Sequence, residues 1–189
     1  MRKLVVTLLL FLLAPIAACA QELDLSIVEE VRVGMHAHAA HYSLWPVYVG
    51  DYDLSRIEDV SFDVLFGSPQ IDAFRVIGEP LFELGTTINF AGRENTAHAA
   101  LVWQVPVLDT PVFLEGAFGA AIHSGYLTDA PDGEHNLGCR VNFYERFGLG
   151  TNVTEDVTAL VTYEHMSNAG LCDANDGYSN FGVRLGRKF

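Results

Sequence analysis

The stretch SNFGVRLGRKF at residues 179–189 alternates between apolar and polar side chains. Phe181, Val183 and Leu185 share one face of an extended strand and Arg184 lies on the other, because successive side chains of a strand point to opposite sides. Alternation with a period of two residues over this length predicts a β-strand with one apolar face.

The same alternation recurs along the rest of the chain, between clusters of Gly, Pro, Asp and Asn that interrupt it. The predicted strands span eight segments: residues 28–40, 58–67, 80–91, 97–107, 111–123, 139–151, 157–166 and 179–189. Bacterial outer-membrane barrels have an even number of antiparallel strands. The pattern therefore predicts an all-β fold, an eight-stranded antiparallel β-barrel.

The chemistry of the two strand faces favours a transmembrane barrel over a soluble one. A soluble barrel such as a lipocalin has an apolar interior, whereas here the polar face carries charges of both signs that can pair in a narrow lumen. Aromatic residues near strand ends, and Phe189 on the apolar face, are typical of outer-membrane barrels. The charged residues predicted to face the lumen are Glu115, Glu164, Arg140, Arg146 and Arg184.

The connections between the predicted strands alternate in length. Short turns are expected near residues 108–110 and 152–156, and longer loops at 41–57, 124–138 and 167–178. Short turns belong to the periplasmic side and long loops to the outside. The segment 68–79 is long for a periplasmic turn, and the pattern does not explain it.

The N-terminal residues 1–20 have the basic start, apolar run and small-residue end of a secretory signal peptide. Cleavage after Ala20 leaves residues 21–189 as one outer-membrane barrel domain, and lipidation of Cys19 is the alternative. The remainder has no run of about 18 apolar residues, which excludes a helical membrane protein. The formal charge of -13 argues against a nucleic-acid partner, and neither a P-loop nor a Gly-x-Ser-x-Gly motif is present.

The predicted seventh strand ends in His165 and Ser167, which share the apolar face of Val161 and Tyr163. This face is expected to meet lipid, where a histidine is costly and indicates function. Residues two apart on a strand are about 7 Å apart at the backbone, within reach for an imidazole to accept the serine proton. The alternative is that both residues merely sit at the level of the lipid headgroups.

The segment YEHMSNAG at residues 163–170, followed by Asn175-Asp176-Gly177 and a final strand, resembles the lipid A 3-O-deacylase (PagL) family. Other segments look like members labelled acyloxyacyl hydrolases. The resemblance implies an eight-stranded outer-membrane barrel that hydrolyses the acyl ester at position 3 of lipid A. It implies Ser167 as the nucleophile, His165 as the general base, and Asn168 with the backbone N–H of Gly170 as the oxyanion donors.

The family's third catalytic residue is a glutamate 12 residues after the serine, and this position is Ser179 here. By parity Ser179 lies on the same face as His165, but a hydroxyl cannot stabilise an imidazolium as a carboxylate does. Asp176 is the nearest carboxylate that could substitute for the glutamate, while Glu164 is expected to point to the lumen.

Cys139 and Cys172 remain after signal cleavage, and an even pair in an exported chain suggests a disulfide, with two free thiols as the alternative. A bridge between them would pin the loop that follows Ser167. His36, His38 and His41 resemble a metal-binding cluster, which is one interpretation. The favoured interpretation is polar filling of the lumen, which His36 and His38 are expected to face together with His98 and His123.

The resulting hypothesis is a carboxylic-ester hydrolase in the outer membrane that acts on lipid A or lipopolysaccharide and needs no cofactor or metal. The rival hypothesis is a small non-catalytic barrel with a structural or adhesive function in its long loops. The sequence does not decide whether the chain forms a homodimer.

Overall fold

A computed structural model describes residues 27–46 and 52–189. Eight antiparallel strands form a closed barrel in which each strand pairs with the next and β8 pairs with β1. In chain order the elements are β1 Val28–His41, β2 Ile57–Phe66, α1 Asp72–Val76, β3 Leu81–Asn89, β4 Thr96–Pro106, β5 Val112–His123, β6 Val141–Asn152, β7 Val157–Ser167 and β8 Tyr178–Lys188. The predicted fold is confirmed, and the predicted strand ends are correct to within two residues.

The end of the barrel at which β1, β3, β5 and β7 finish is called the upper rim. Its loops span residues 42–56, 90–95, 124–140 and 168–177. The opposite end has tight turns, except at residues 67–80, where the segment that the sequence pattern left unexplained forms the short helix α1. The Trp103 indole N–H donates to the Ile77 carbonyl oxygen at 2.8 Å and ties this segment to β4. No helix among the described residues is both long and apolar enough to cross a membrane.

The lumen is filled by ion pairs, as the alternating charges predicted. Arg146 contacts Glu83 at 2.7 Å and Glu115 at 3.0 Å, and Arg32 contacts Glu115 at 2.8 Å. Arg184 pairs in the same way with Asp63 and Glu164. Charges buried this deeply are tolerated only when they are paired and hydrogen-bonded, so these contacts fix the inward register of seven strands.

The outer wall is apolar. Large side chains that are exposed on it include Val33, Met35, Phe62, Leu84, Leu114, Phe118, Val161, Val183, Leu185 and Phe189. An apolar surface around a charged lumen is the arrangement of a transmembrane barrel. The prediction that Arg140 faces the lumen is wrong. Arg140 is exposed and donates to the carbonyl oxygens of His123 and Gly125 at the upper rim, because β6 begins at Val141 rather than at residue 139.

A bulge near the end of β1 changes the side of the wall to which the last residues of this strand point. Ala39 has a φ of 44°, and the pairing of β1 with β8 shifts between Ala37 and His41. His36 and His38 lie before the shift and face the lumen, where His38 bonds Asp59. His41 lies after it and turns toward the outer side of the wall. The chain therefore leaves β1 across the outside of β8.

Candidate active site

His165 and Ser167 lie at the upper end of β7, on the outer face of the barrel wall. The residues between and before them, Met166 and Glu164, are buried on the lumen side. His165 is nevertheless buried as well, because the start of loop 42–56 covers it, while Ser167 is half-buried. The pair thus occupies a sheltered place on the outer wall rather than an open one.

A chain of two hydrogen bonds holds the His165 imidazole. The fully buried Ser179 hydroxyl of β8 donates to the Ser43 carbonyl oxygen at 2.7 Å. A hydroxyl has only one proton, so Nδ1–H of His165 must be the donor to Ser179 Oγ, at 2.7 Å. The lone pair is then on Nε2, the nitrogen that can accept a proton from a nucleophile.

Residues 42–46, called the cover segment, enclose this chain of hydrogen bonds from outside. The Tyr163 hydroxyl donates to the same Ser43 carbonyl oxygen. Trp45 stacks on Phe147 of β6 with 5.9 Å between ring centroids. The backbone N–H of Ser43 donates to Nδ1 of His41 at 3.0 Å, which ties the segment to the end of β1. The cover segment therefore shields the His165–Ser179 hydrogen bond from water.

A cavity of about 560 Å³ opens beside His165 and Ser167. Three upper-rim loops contribute to its walls, among them Tyr42 and Leu44 from loop 42–56, His135 from loop 124–140 and Asp176 from loop 168–177. This volume falls within the range of ligand-binding pockets. Both members of the predicted catalytic pair therefore face a space that can hold a bound molecule.

Gly177 borders both residues of the pair. A Cβ at this position would lie 2.7 Å from Ser167 Cβ and 3.3 Å from His165 Cε1. Only a residue without a side chain fits there, which gives a steric reason for glycine in the Asn175-Asp176-Gly177 motif. Within the described parts of the chain no hydrogen bond joins His165 to Ser167, and such catalytic contacts are often long before substrate binds.

The side chain of Asn168 is engaged in holding the loop. Its Nδ2 donates to the Leu137 carbonyl oxygen at 2.9 Å and to the Ala174 carbonyl oxygen at 2.7 Å. Both amide hydrogens are thus used inside the protein, and Asn168 must release one of them to serve as the predicted oxyanion donor. Gly170 has a φ of 77° and is exposed at the tip of the same loop.

The predicted disulfide between Cys139 and Cys172 is confirmed, with a Cα–Cα distance of 5.7 Å. It joins the residues just before β6 to the loop that follows Ser167. Together with the hydrogen bond from Asn168 to the Leu137 carbonyl oxygen, it fixes residues 168–177 against the neighbouring loop 124–140.

Asp176 does not supply the missing carboxylate in this structure. Its Oδ2 accepts from the backbone N–H and the side-chain amide of Asn136, at 3.0 and 3.1 Å. Nδ1 of His165 is instead bonded to Ser179. Asp176 therefore links two upper-rim loops rather than orienting the imidazole.

Sequence reasoning missed Glu145, which lies directly opposite His165 in the pairing of β6 with β7. Its Oε2 is buried and has no hydrogen-bond partner among the described residues. A carboxylate on an otherwise apolar wall is costly and marks a functional candidate. The signal was present in the sequence, because Glu145 interrupts the apolar series of Val141, Phe143 and Phe147 on β6.

The lumen histidines also have structural partners. His36 bonds Ser61 at 2.9 Å and His98 bonds Glu83 at 3.0 Å. His123 contacts the Cys139 carbonyl oxygen at 2.6 Å. These contacts agree with polar filling of the lumen, whereas His41 lies on the outer side.

Comparison with known proteins gives the family. The model of the family described as Lipid A 3-O-deacylase (PagL) matches residues 73–188, more than half of the chain. The curated protein lipid A deacylase PagL from Pseudomonas aeruginosa (strain PAO1) is 35% identical over 71 residues. That alignment covers 38% of this chain and spans only 39% of the relative's length.

Solved structures show the same fold. The crystal structure of the outer membrane enzyme PagL has a TM-score of 0.56 at 20% identity and covers 85% of this chain and 99% of that chain. The N-terminal β-barrel domain of Pseudomonas aeruginosa OprF has a TM-score of 0.52 at 11% identity, covering 86% of this chain and 97% of that chain. The likeness to OprF extends to the barrel alone, whereas the family match includes β7, the loop after it and β8. The chain therefore belongs to the lipid A 3-O-deacylase (PagL) family.

Proposed function

We propose that this protein is an outer-membrane esterase that removes the 3-O-linked acyl chain of lipid A, with Ser167 as the nucleophile and His165 as the general base. Family membership supports lipid A or lipopolysaccharide as the substrate. The exposed apolar wall supports a place in the outer membrane. The expected signal peptide, residues 1–20, lies outside the described residues and belongs to the same proposal.

One observation carries the proposal: the hydrogen bonds from His165 to Ser179 and from Ser179 to Ser43 leave Nε2 of His165 as the basic nitrogen. An imidazole fixed in this tautomer is prepared to accept the proton of a nearby hydroxyl. Ser179 thereby orients His165 as the family's glutamate would, but without its charge. The missing charge predicts a slower enzyme than one with a carboxylate at this position.

The proposed reaction has two steps. Ser167 Oγ attacks the acyl carbonyl carbon while its proton moves to His165 Nε2, and the sugar hydroxyl leaves with that proton. A water molecule then loses a proton to His165 and attacks the acyl-Ser167 ester, which releases the fatty acid and restores the serine. Asn168 and the backbone N–H of Gly170 are the proposed donors to the oxyanion.

The position of the pair suits a substrate that stays in the membrane. Ser167 and His165 lie on the outer side of the wall at its upper end, so an acyl chain lying along the barrel can bring its ester to them. The adjacent cavity then accommodates the part of the molecule next to the scissile bond.

The test is deacylation of lipopolysaccharide by the protein refolded in detergent, with the released acyl chain identified by mass spectrometry. The wild type is expected to release one fatty acid from position 3, and Ser167→Ala is expected to release none while remaining a folded barrel. Unchanged lipid A with the wild type would favour the non-catalytic rival, for which the serine at position 179 is the supporting observation.

A further inference from the structure

A second group of reactive side chains lies at the upper rim, on the lumen side of the wall. His38 of β1, Glu94 of loop 90–95 and His135 of loop 124–140 are all buried. One ligand atom from each lies within 4.8 Å of the other two. The three residues are far apart in sequence, and only His38 lies in a predicted strand, so the sequence could not reveal the group.

The distances suit a tetrahedral metal ion. Glu94 Oε1 lies 3.4 Å from His38 Nε2 and 2.9 Å from His135 Nδ1. Two ligands bound at about 2.0–2.1 Å to a tetrahedral zinc ion are about 3.3–3.4 Å apart. Of the three separations, that from Glu94 to His38 already has this value and that from Glu94 to His135 needs to widen by a few tenths of an ångström. The third, between the two imidazole nitrogens, lies within 4.8 Å.

His38 has the surroundings of a metal ligand. Its Nδ1 contacts Asp59 Oδ2 at 2.9 Å, and Asp59 Oδ1 in turn accepts from the Asn89 side chain at 2.7 Å. A carboxylate that holds one imidazole nitrogen directs the other toward a metal. That other nitrogen, Nε2, is buried and has no hydrogen-bond partner among the described residues.

The group also adjoins the cavity already described. His135 lines the same cavity as His165 and Ser167, and the Tyr178 ring packs against both imidazoles with centroid distances of 5.2 and 4.9 Å. With three protein ligands, a zinc ion keeps a fourth position for water or another ligand. Such an ion would tie two upper-rim loops to β1 and so fix one wall of the cavity.

The other cluster of possible ligands in the described chain is unsuitable. Asp63, Glu83 and His98 meet in the middle of the lumen, but both carboxylates are paired there with arginines. A metal would have to displace these cations. At the rim group, by contrast, the side chains of the three residues form no ion pair with an arginine or lysine among the described residues.

We propose that His38, Glu94 and His135 bind one divalent transition-metal ion of the zinc type, with Asp59 as the residue that orients His38. This proposal does not depend on the esterase function, because metal binding is measured without substrate.

The experiment is titration of the untagged mature protein, refolded in detergent and treated with a chelator, with zinc chloride in a calorimeter. Cobalt(II) serves as a second probe, since its visible spectrum reports tetrahedral nitrogen and oxygen ligands. The wild type is expected to bind one equivalent. His123→Gln is the matched control, because His123 lies on the same rim but outside the group, and it is expected to bind as the wild type does.

His135→Gln and His38→Gln are expected to abolish saturable binding, and Asp59→Asn to weaken it by about 10–100-fold. Heat-dependent migration in gel electrophoresis shows which variants form barrels. If His38→Gln does not form a barrel, metal binding by His135→Gln alone tests the proposal. The proposal is overturned if the wild type binds no stoichiometric metal, as expected if His38 is merely a protonated partner of Asp59 and Glu94. It is equally overturned if folded His135→Gln binds as tightly as the wild type.

Discussion

Replacing Ser179 with alanine tests how this site works without the family's glutamate. The change removes the hydroxyl that accepts from His165 Nδ1 and donates to Ser43, both at 2.7 Å. A buried donor left without a partner costs about 1–3 kcal/mol. If this cost appears in the transition state, where the imidazole becomes charged, kcat/KM falls by about 5–150-fold.

The assay is the initial rate of acyl release from lipopolysaccharide in detergent, with protein stability measured in parallel. Ser61→Ala is the matched control, because Ser61 is equally buried and forms the same kind of hydrogen bond, 2.9 Å from His36 Nε2 in the lumen. It is expected to lower stability to a similar extent and leave kcat/KM unchanged. Wild-type activity in Ser179→Ala, or equal loss of activity in the control, would refute the reasoning.

Three further predictions concern the surroundings of the pair. Gly177→Ala is expected to lower kcat/KM by about 100-fold, because the added Cβ displaces Ser167. Gly116→Ala is its control and is expected to have no effect, because a Cβ there has no atom of the described residues within 4 Å. Equal rates in the two variants would contradict this prediction. Replacing both Cys139 and Cys172 with serine removes a disulfide between residues 33 apart in sequence. It is expected to lower the free energy of unfolding, measured with denaturant, by about 4 kcal/mol. An unchanged midpoint of denaturant unfolding would show that other contacts hold the loop. Glu145→Gln is expected to lower kcat/KM less than Ser179→Ala does, because Ser179 already binds Nδ1 of His165. A larger loss of kcat/KM in Glu145→Gln would instead identify Glu145 as the third member of the site.

The sequence predicted the barrel well because its strands obey one simple rule. Each strand has a buried polar face and an exposed apolar face, so alternation gives the number of strands and the side on which each face lies, and their ends to within about two residues. Arg140 was misassigned because alternation does not reveal where a strand begins. The helix α1 was missed because a single turn of helix leaves too few residues for a periodic pattern.

The site was predictable only in part. The positions of His165 and Ser167 follow from parity, and Ser179 follows from the family spacing. The contact from Ser179 to Ser43 could not be predicted, because it depends on the bulge at Ala39, which brings the cover segment across the outer wall. The grouping of His38, Glu94 and His135 depends in the same way on how separate loops fold over the rim.

The most direct test of the account is covalent labelling with a serine-reactive phosphonate. The folded protein is incubated with the reagent, its mass is measured, and the modified peptide is sequenced. We expect a single adduct on Ser167, formed much more slowly in His165→Ala. The absence of labelling under conditions that preserve the barrel, or an adduct on another residue, would contradict the assignment of Ser167 as a nucleophile activated by His165.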